Sequence, residues 1–242
     1  MRTLYGLVHD VDPVAGTITC IAPYDDGADF VRKGYEKCEI RLIDGRSISP
    51  EQRRKIFALV SDIADYVTAV RGSKRRREEQ EVLRQLQLLY IIDTTDREVV
   101  RRQLTQHFCA LQNIDLFSLS DVDMTTAREF IDWMVELCVQ HDIPCNDTLL
   151  SRCEDIGRYL YACVAKRRCA ICGKKADIHE VERVGMGRDR RRIHHLGQSV
   201  QPLCREHHNE VDRLGQKSFN EKYHISFVRL DEYLCNRLGW KV

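Results

Sequence analysis

Two short motifs with the same spacing constrain this sequence more than any other feature. Cys169 and Cys172 are separated by two residues, and Cys204 and His207 repeat that spacing further along the chain. Three thiolates and one imidazole in two such pairs are a common ligand set for a tetrahedral structural zinc ion. Coincidental buried thiols are the alternative, but they do not explain why both pairs are equally close. The sequence therefore predicts a small zinc-stapled module.

The eleven cysteines of this 242-residue chain are better explained as free thiols and metal ligands than as disulfides. Disulfide frameworks are typical of short secreted chains. The N-terminal sequence MRTLYGLVHDVDP has neither the apolar segment nor the cleavage pattern of a secretion signal. Because no run of about 20 apolar residues is present, the sequence also predicts no membrane-spanning segment.

The charges are divided unevenly along the chain. From Cys163 to the C-terminus, 17 Lys and Arg residues accompany 10 Asp and Glu residues, which gives +7 and leaves −6 for residues 1–162. A basic module attached to an acidic body is an expected arrangement in a protein that binds phosphate groups. An uneven but merely solvated surface explains the charges alone equally well.

The hydrophobic pattern predicts strands in the first 45 residues. The segments TLYGLVHDV and TITCIAPY alternate between apolar and polar residues, and they flank a turn-like segment at residues 12–16. A further strand is predicted at KCEIRLI, where the apolar positions again alternate. A hairpin or small sheet is therefore expected at this end of the chain.

Amphipathic helices are predicted after these strands. One starts at the capping box Ser49-Pro50-Glu51-Gln52, one covers residues 125–141, and one leads directly into the first cysteine pair. The fold class is therefore α+β. We expect the hairpin and the helices to occupy residues 1–160, and the zinc-stapled module to occupy residues 161–242.

A second group of candidate ligands lies close to the cysteine pairs. His179 lies in the strand-like segment DIHEVERV, His208 directly follows His207, and Asp212 lies on the same helical face as His208. A strand with His179 and a helix with His208 and Asp212 would supply nitrogen and oxygen ligands for Mg²⁺, Mn²⁺ or a borderline transition metal. The alternative is that both histidines are ordinary polar residues near the zinc ion.

A segment rich in glycine and arginine, GMGRDRRR, separates the two pairs. Its glycines allow the backbone to approach a phosphate closely, and its arginines can donate two hydrogen bonds each to a phosphate. We predict DNA contacts here, with a solvated loop as the alternative. The predicted contact residues are Arg188, Arg190, Arg191 and Arg192.

Together, CAIC, DIHEVERVGMGR and VQPLCREHHNE resemble the HNH, or ββα-metal, endonuclease motif. Over about residues 163–226, with IHEVERVGMGRDR and LCREHHNEVDRLGQKSFNEKYHI, the sequence is more closely similar to the HNHc nucleases encoded by phages of Gram-positive bacteria. The resemblance implies a ββα-metal module that hydrolyses DNA phosphodiesters. It also implies structural zinc, catalytic Mg²⁺ or Mn²⁺, and a location in the cytoplasm of a bacterial host cell.

The motif also implies roles for single residues. By its register, His179 and His208 are metal ligands, and Glu180 stands where the family has its histidine base. A histidine is common at the position of Asp212, and the asparagine of the HNH name would fall near Ser199. The implied catalytic residues are Glu180, His179 and His208. Glu180 could accept a proton from the attacking water, or it could join the metal ligands.

Two upstream segments, RSISPEQRRKIFALVSDIADYV and SLSDVDMTTAREFIDWMVELCVQHDIP, look similar to phage recombination mediators of the Orf/NinB type. This resemblance rests on helix patterns. It implies that residues 1–160 form a recombination domain that binds single-stranded or branched DNA. The host's single-strand-binding protein is a further implied partner.

Two functions stay open at this point. The first is an HNH-type DNA endonuclease of phage recombination or replication, and the second is a non-catalytic mediator that binds single-stranded DNA and carries a degenerate HNH module. A zinc-stapled transcriptional regulator is disfavoured, because no helix-turn-helix pattern is clear. The oligomeric state, with a homodimer as one option, is not determined by the sequence. Convergence of His179, Glu180, His208 and Asp212 in one coordination sphere would favour the enzyme.

Overall fold

A computed structural model of the chain divides it into two compact units, Met1–Leu42 and Ile43–Val242, which are described separately. The described residues are 6–23, 32–34, 40, 45–71, 77–90, 92, 94–181 and 195–241. The strand predicted at KCEIRLI lies, apart from Ile40, outside them. No helix in these ranges combines the length and the apolar character that crossing a membrane requires.

The first unit contains the predicted hairpin. Strands β1 (Leu7–Asp12) and β2 (Thr17–Ile21) pair in antiparallel orientation. Asp12 closes the turn between them, because its Oδ1 atom accepts hydrogen bonds from the backbone N–H groups of Val14 and Ala15, both at 2.9 Å. These bonds to Ala15 and Val14 lower the pKa of Asp12, since they favour the charged carboxylate.

Helices dominate the second unit up to the cysteine pairs. In chain order they are α1 (Pro50–Arg71), α2 (Arg77–Tyr90), α3 (Arg97–Gln112), α4 (Met124–Gln140), α5 (Leu149–Arg152) and α6 (Ile156–Lys166). The capping box predicted for α1 is present. Ser49 Oγ accepts from the N–H of Gln52, and Gln52 Oε1 accepts from the N–H of Ser49, both at 3.1 Å. The helix predicted over residues 125–141 is α4, and α6 leads into the first cysteine pair as predicted.

Aromatic rings fill the core between α3 and α4. The ring centres of Phe108 and Phe130 lie 5.1 Å apart, and Phe117 packs edge-on against both rings. Phe108 and Phe130 are fully buried. Trp133 packs against the same two rings, which agrees with the packing role that its helical context predicts. Aromatic pairs of this kind add about 0.5–1.5 kcal/mol each beyond the apolar area that they bury.

A buried ion pair connects α1 to the segment between α4 and α6. Asp62 and Arg152 are both almost fully buried, and the Arg152 guanidinium donates to the Asp62 carboxylate. The Asn146 amide also donates to Asp62, at 2.6 Å, and Arg152 pairs with Asp147 at 3.0 Å. Each charge is therefore both paired and hydrogen-bonded, which is the condition under which buried ions are tolerated.

The C-terminal part of this unit combines a small sheet with short helices, so the α+β class is confirmed. The sheet has the order β3–β4–β5, and all of its neighbouring strands are antiparallel. Its elements and the accompanying helices are β3 (Asp177–Glu180), β4 (Ser199–Leu203), α7 (Arg205–Leu214), α8 (Gln216–Tyr223), β5 (Val228–Arg229) and α9 (Glu232–Leu238). The succession β3–β4–α7 is the ββα arrangement that the motif implies.

Helix α6 joins the helical part of this unit to the sheet. It packs against α4, β4, β5 and α9, and one continuous hydrophobic core extends from α1 to α9. The functional division at residue 160 falls within α6 and stays a prediction.

Substitution of Arg152 tests the buried ion pair. We expect Arg152→Leu to lower the free energy of unfolding by about 3–5 kcal/mol, because the buried Asp62 carboxylate loses its counter-charge. Urea denaturation followed by circular dichroism measures this loss. The double variant Asp62→Asn/Arg152→Leu should recover much of the stability, since no buried charge remains. A double variant that is no more stable than the single one would contradict this explanation.

Candidate metal centres

The first cysteine pair lies in a tight turn directly after α6. Arg167 ends the helix in the left-handed conformation, with a φ of 51°. The N–H of Cys169 then donates to the carbonyl of Lys174 at 2.7 Å, and its carbonyl accepts from the N–H of Gly173 at 2.8 Å. Gly173 has a φ of +68°, which glycine adopts without strain. The turn thus returns Cys172 to the neighbourhood of Cys169.

The second pair, Cys204 and His207, lies at the junction of β4 and α7. Cys204 is the N-cap residue of α7, and His207 lies in its first turn. Strand β4 also fixes the first turn, because the N–H of Ala170 donates to the carbonyl of Pro202 at 3.0 Å. The two pairs are therefore held against each other by backbone hydrogen bonds as well as by their side chains.

The four side chains form one compact cluster. His207 Nδ1 lies 3.5 Å from Cys169 Sγ, 3.7 Å from Cys172 Sγ and 3.1 Å from Cys204 Sγ. The Sγ atoms of Cys172 and Cys204 are 3.6 Å apart. Ligand atoms bound tetrahedrally to zinc, with bonds of about 2.3 Å to sulfur and about 2.0 Å to nitrogen, would be about 3.5–3.8 Å apart. The cluster could therefore hold a metal ion such as zinc.

The position of Cys204 at the start of α7 favours its thiolate. Burial alone would raise the pKa of Cys204, but the backbone N–H of His207 and the thiols of Cys172 and Cys169 donate hydrogen bonds to its sulfur. The pKa of Cys204 is consequently lowered. Partial burial raises the pKa of Cys172 to about 12. Because a cysteine binds a cation as thiolate, metal binding has to displace a proton from Cys172.

His179 and His208 meet beside this cluster. His179 lies on β3, and His208 follows His207 on α7. His179 Nδ1 lies 3.0 Å from His208 Nε2, and the two rings meet edge to face with their centres 4.6 Å apart. Both side chains are partly buried. The predicted approach of the strand histidine to the helix histidine is therefore confirmed.

Each of these histidines has an acceptor at its other ring nitrogen. Asp212 Oδ2 lies 3.3 Å from His208 Nδ1, and Gln216 Oε1 lies 3.2 Å from His179 Nε2. Carboxylate and amide oxygens only accept hydrogen bonds, so they favour the tautomers in which these two ring nitrogens carry the proton of a neutral ring. In these tautomers the lone pairs of His179 Nδ1 and His208 Nε2 face each other across 3.0 Å.

The distance between these two nitrogens suits a shared cation. Two imidazole nitrogens that bind one ion at a right angle, with bonds of about 2.1 Å, are about 3.0 Å apart. The observed separation of His179 Nδ1 and His208 Nε2 is 3.0 Å. Neutral imidazole with its second nitrogen hydrogen-bonded is also the form in which histidine usually binds metals.

The two carboxylates predicted beside this pair do not complete a compact ligand group. Within the part of the chain that the structure describes, the cysteine cluster is the one group of three or more His, Cys, Asp or Glu residues whose ligand atoms all lie within 4.8 Å. Asp212 contacts the outer nitrogen of His208. Glu180 follows His179 on β3 and pairs with Val200, and adjacent strand residues point to opposite faces. The two histidines therefore converge, while Glu180 and Asp212 lie outside a shared group.

The other predicted site residues have different positions. Ser199, which stands near the position of the family's asparagine, begins β4 and is buried. The predicted DNA contacts lie outside the described residues; they are Arg188, Arg190, Arg191 and Arg192.

Comparison with protein families identifies the relatives of this chain. The model of the family described as "Putative HNHc nuclease" matches residues 74–240, well over half of the chain. The chain belongs to the HNHc nuclease family. Comparisons with curated proteins and with solved structures gave no match.

The match to the HNHc nucleases begins well upstream of the metal centres. It includes helices α2 to α6 as well as both candidate metal centres. It therefore also covers SLSDVDMTTAREFIDWMVELCVQHDIP, one of the two segments that look similar to recombination mediators. The family model thus matches the helices and the candidate metal centres together.

The amide side chains behind His179 were not predicted from the sequence. Gln201 lies opposite His179 on β4 and is fully buried, and Gln216 begins α8. A glutamine inside the short, otherwise mostly apolar segment SVQPL was the available signal, because a buried amide needs hydrogen-bond partners. Gln216 gave no comparable signal, since its position depends on the turn at Gly215.

Replacement of one thiol tests the cysteine cluster. We expect Cys172→Ser to lose zinc and to unfold the C-terminal module, because metal binding and folding are coupled in such sites. Elemental analysis measures the zinc content, and circular dichroism measures folding with and without a chelator. Cys20→Ser, which changes a thiol in the hairpin, is the matched control and should keep its zinc. Wild-type protein that contains no metal and resists the chelator would rule the assignment out.

Proposed function

We propose that this HNHc nuclease is a metal-dependent DNA endonuclease of the HNH type. The observation that carries the proposal is the approach of His179 Nδ1 to His208 Nε2 at 3.0 Å, with both lone pairs directed into the gap. Membership of the family supports phosphodiester hydrolysis as the reaction class. The geometry supports a cation between the two histidines.

The two metal centres have different roles in this proposal. His179 and His208 would hold the catalytic cation, Mg²⁺ or Mn²⁺, whereas the cysteine cluster with His207 would hold structural zinc. The catalytic cation, once bound, supplies charge that polarises the scissile phosphate and stabilises the leaving 3′ oxygen. Because imidazole nitrogen binds the later first-row metals better than Mg²⁺, we expect Mn²⁺ to be the better activator.

Asp212 serves in this proposal to orient His208. Its Oδ2 atom lies 3.3 Å from His208 Nδ1. A carboxylate in this position would orient the ring and make Nε2 a stronger ligand. The sequence predicts Asp212 as a direct metal ligand, but a carboxylate that binds the outer nitrogen acts on the cation through the histidine.

By the register of the motif, Glu180 is the proposed general base, which takes a proton from the attacking water. Because adjacent strand residues point to opposite faces, this role requires a twist or bulge of β3 that brings the Glu180 carboxylate to the side of His179. It is partly buried and follows His179 directly on β3. A carboxylate bound to a cation is a weak base, so a Glu180 outside the ligand group is better suited to accept a proton. General-base catalysis of this kind contributes roughly 10²–10⁴-fold.

The basic segment between the two cysteine pairs is the proposed DNA contact. Its arginines would pair with backbone phosphates of the bound DNA. The balance of +7 from Cys163 to the C-terminus supports this placement. The proposed contact residues are Arg188, Arg190, Arg191 and Arg192.

The biological setting is proposed from the sequence resemblance. The substrates would be single-stranded or branched DNA during phage recombination or replication, in the cytoplasm of a bacterial host. The host's single-strand-binding protein is a proposed partner, and a homodimer is a proposed assembly.

The position of Glu180 favours a second candidate function. The carboxylate stands where the family has its histidine base, and it does not join the two histidines in a ligand group. An HNH module without a working base would still bind DNA. The chain would then be a non-catalytic recombination mediator that binds single-stranded DNA.

Substitution of Glu180 separates the two functions. We expect Glu180→Gln to abolish Mg²⁺- or Mn²⁺-dependent nicking while zinc content and DNA affinity stay near wild type, because glutamine keeps the shape but cannot accept the proton. The assay is nicking of plasmid DNA and of branched and single-stranded oligonucleotides. Glu221→Gln removes an exposed carboxylate of α8 as the matched control and should cut normally.

A second substitution at the same position, Glu180→His, can contradict the enzyme proposal. Glu180→His restores the family's usual base, so a site adapted to glutamate should gain little from it. If wild type cuts none of the DNA substrates and Glu180→His does cut, the enzyme proposal fails and the mediator proposal takes its place.

Neutralisation of the basic segment tests the DNA contact. The triple variant Arg190→Gln/Arg191→Gln/Arg192→Gln should weaken binding to all DNA sequences and flatten the dependence of affinity on salt, because fewer counterions are released. Fluorescence anisotropy at several salt concentrations measures both effects. The variant Arg53→Gln/Arg54→Gln/Arg84→Gln removes equal charge from exposed positions on α1 and α2. A salt slope changed by this control alone would move the DNA-binding surface to the helical part.

A further inference from the structure

A chain of amide side chains runs behind His179. The Gln216 side chain lies between His179 and Gln201: its Oε1 atom is 3.2 Å from His179 Nε2, and its Nε2 atom is 2.8 Å from Gln201 Oε1. Gln216 Nε2 also lies 2.9 Å from Asn220 Oδ1. Gln201 Nε2 in turn lies 2.8 Å from Asn220 Oδ1 and 2.6 Å from the carbonyl oxygen of Ser226. This series of hydrogen bonds therefore runs from the backbone carbonyl of Ser226 to the imidazole of His179.

The backbone carbonyl of Ser226 sets the direction of this chain. A carbonyl oxygen only accepts, so the group of Gln201 that faces it has to be the NH₂ group. The Gln201 oxygen is then the atom that faces Gln216. Gln201 is fully buried, so water does not compensate for a reversed amide. The orientation of Gln201 is thereby fixed.

The orientation of the Gln201 amide fixes the orientation of the Gln216 amide. Its NH₂ group faces two oxygens, Gln201 Oε1 and Asn220 Oδ1, and both of its protons are used in these contacts. If the Gln216 amide were flipped, its oxygen would face the amide oxygens of Gln201 and Asn220. These three oxygens would then lie within hydrogen-bond distance without a proton between them. Gln216 Oε1 is therefore the atom that faces His179, and an oxygen there requires a proton on His179 Nε2.

The tautomer of His179 determines whether the two histidines can share a cation. With the proton on Nε2, Nδ1 presents a lone pair to His208 Nε2. With the proton on Nδ1, the ring would instead donate an N–H···N hydrogen bond to His208 across the 3.0 Å gap. That hydrogen bond would occupy the lone pair of His208 and close the gap. In His208, the Asp212 carboxylate lies 3.3 Å from Nδ1, and its negative charge favours the tautomer with the proton on that nitrogen.

We infer that Gln216 is a positioning residue, which holds His179 as its Nε2–H tautomer through the amide chain from Ser226 and so keeps the histidine pair open to a cation. The inference rests on the proposed function for the identity of the site. The amide chain itself is a property of the protein that can be measured without DNA and without a catalytic metal.

The turn at Gly215 brings Gln216 to the end of the amide chain, next to His179. Its φ of +80° lies in the region that favours glycine, and its N–H donates to Val211 at the end of α7 at 2.9 Å. The backbone changes direction at Gly215, so that α8 starts with Gln216 beside β3 and β4. One turn further along α8, Asn220 faces the same amide.

The first experiment reads the tautomer directly. Long-range ¹H–¹⁵N correlation spectra of zinc-loaded protein, recorded with the ring neutral and no other metal added, distinguish the protonated from the unprotonated ring nitrogen. We expect wild-type His179 to carry its proton on Nε2. Gln216→Met, which removes the acceptor but keeps the side-chain length, should give a mixture of tautomers. Lys217→Met makes the same change at the next, exposed position and should keep the wild-type spectrum.

The second experiment measures Mn²⁺ affinity by titration calorimetry on the same zinc-loaded proteins. Gln216→Met should bind Mn²⁺ about 10–100-fold more weakly, the usual effect of losing the hydrogen-bond partner of a metal-binding histidine. Gln216→Glu keeps an oxygen towards His179 Nε2, so it should bind Mn²⁺ at least as tightly as wild type. It should nevertheless be less stable, because its second oxygen faces Gln201 Oε1 and Asn220 Oδ1. A merely structural Gln216 would lower stability in both variants without this difference in affinity.

The outcomes separate this inference from the proposed function. Wild-type His179 with its proton on Nδ1 overturns the inference, even if Gln216→Met does not fold. A folded Gln216→Met that keeps the Nε2–H tautomer and the wild-type Mn²⁺ affinity also overturns it. If wild type has the Nε2–H tautomer, Gln216→Met loses it, and neither protein binds Mn²⁺, the amide chain is supported and the proposed catalytic site fails.

Discussion

The cluster of Cys169, Cys172, Cys204 and His207 determines where the other functional groups lie. It joins the turn after α6 to the first turn of α7, a helix of 10 residues, and helices of this length are marginal in water without tertiary contacts. Consecutive helical residues point about 100° apart. When His207 faces the cysteines, the neighbouring His208 is therefore directed elsewhere, and in this protein it meets β3. The zinc-type cluster thus provides the fixed point for the second centre.

Much of this arrangement could be predicted from the sequence, because the relevant signals are local. The spacing of the two pairs identified the cluster, and Ser49 with Gln52 identified the start of α1. The approach of His179 to His208 followed from the motif. The contact of Asp212 with the outer nitrogen of His208 could not be predicted, because a residue four positions after His208 on a helix can lie near either a cation or that nitrogen. Spacing alone does not distinguish the two.

Groups that depend on strand register and on a turn were missed for a physical reason. Gln201 lies behind His179 only because β3 and β4 pair in one register, and a shift by one residue would turn it to the other face. The sequence places these two residues far apart and gives no measure of their register. Strand pairing between residues that are far apart in the sequence could therefore not be predicted from local sequence patterns.

The two carboxylates near the histidine pair change the electrostatics of the site. By the register of the motif that the sequence resembles, Glu180 and Asp212 stand at positions where histidine is expected, so this chain carries carboxylates in place of imidazole rings there. Negative charge attracts a divalent cation and repels a DNA backbone. The surplus of basic residues from Cys163 onwards offsets that repulsion, so the two departures from the motif and the charge of the module are best understood together.

The break at Gly215 makes the length of α7 a constraint in its own right. Residues of the zinc cluster, the histidine pair and the amide chain all lie on the single stretch 204–220. One residue inserted into or deleted from α7 after His208 would rotate everything after it by about 100° and shift it by about 1.5 Å. The cluster would survive this change while Gln216 moved away from His179. The number of residues in α7 after His208 therefore sets the distance and the angle between the histidine pair and the amide chain.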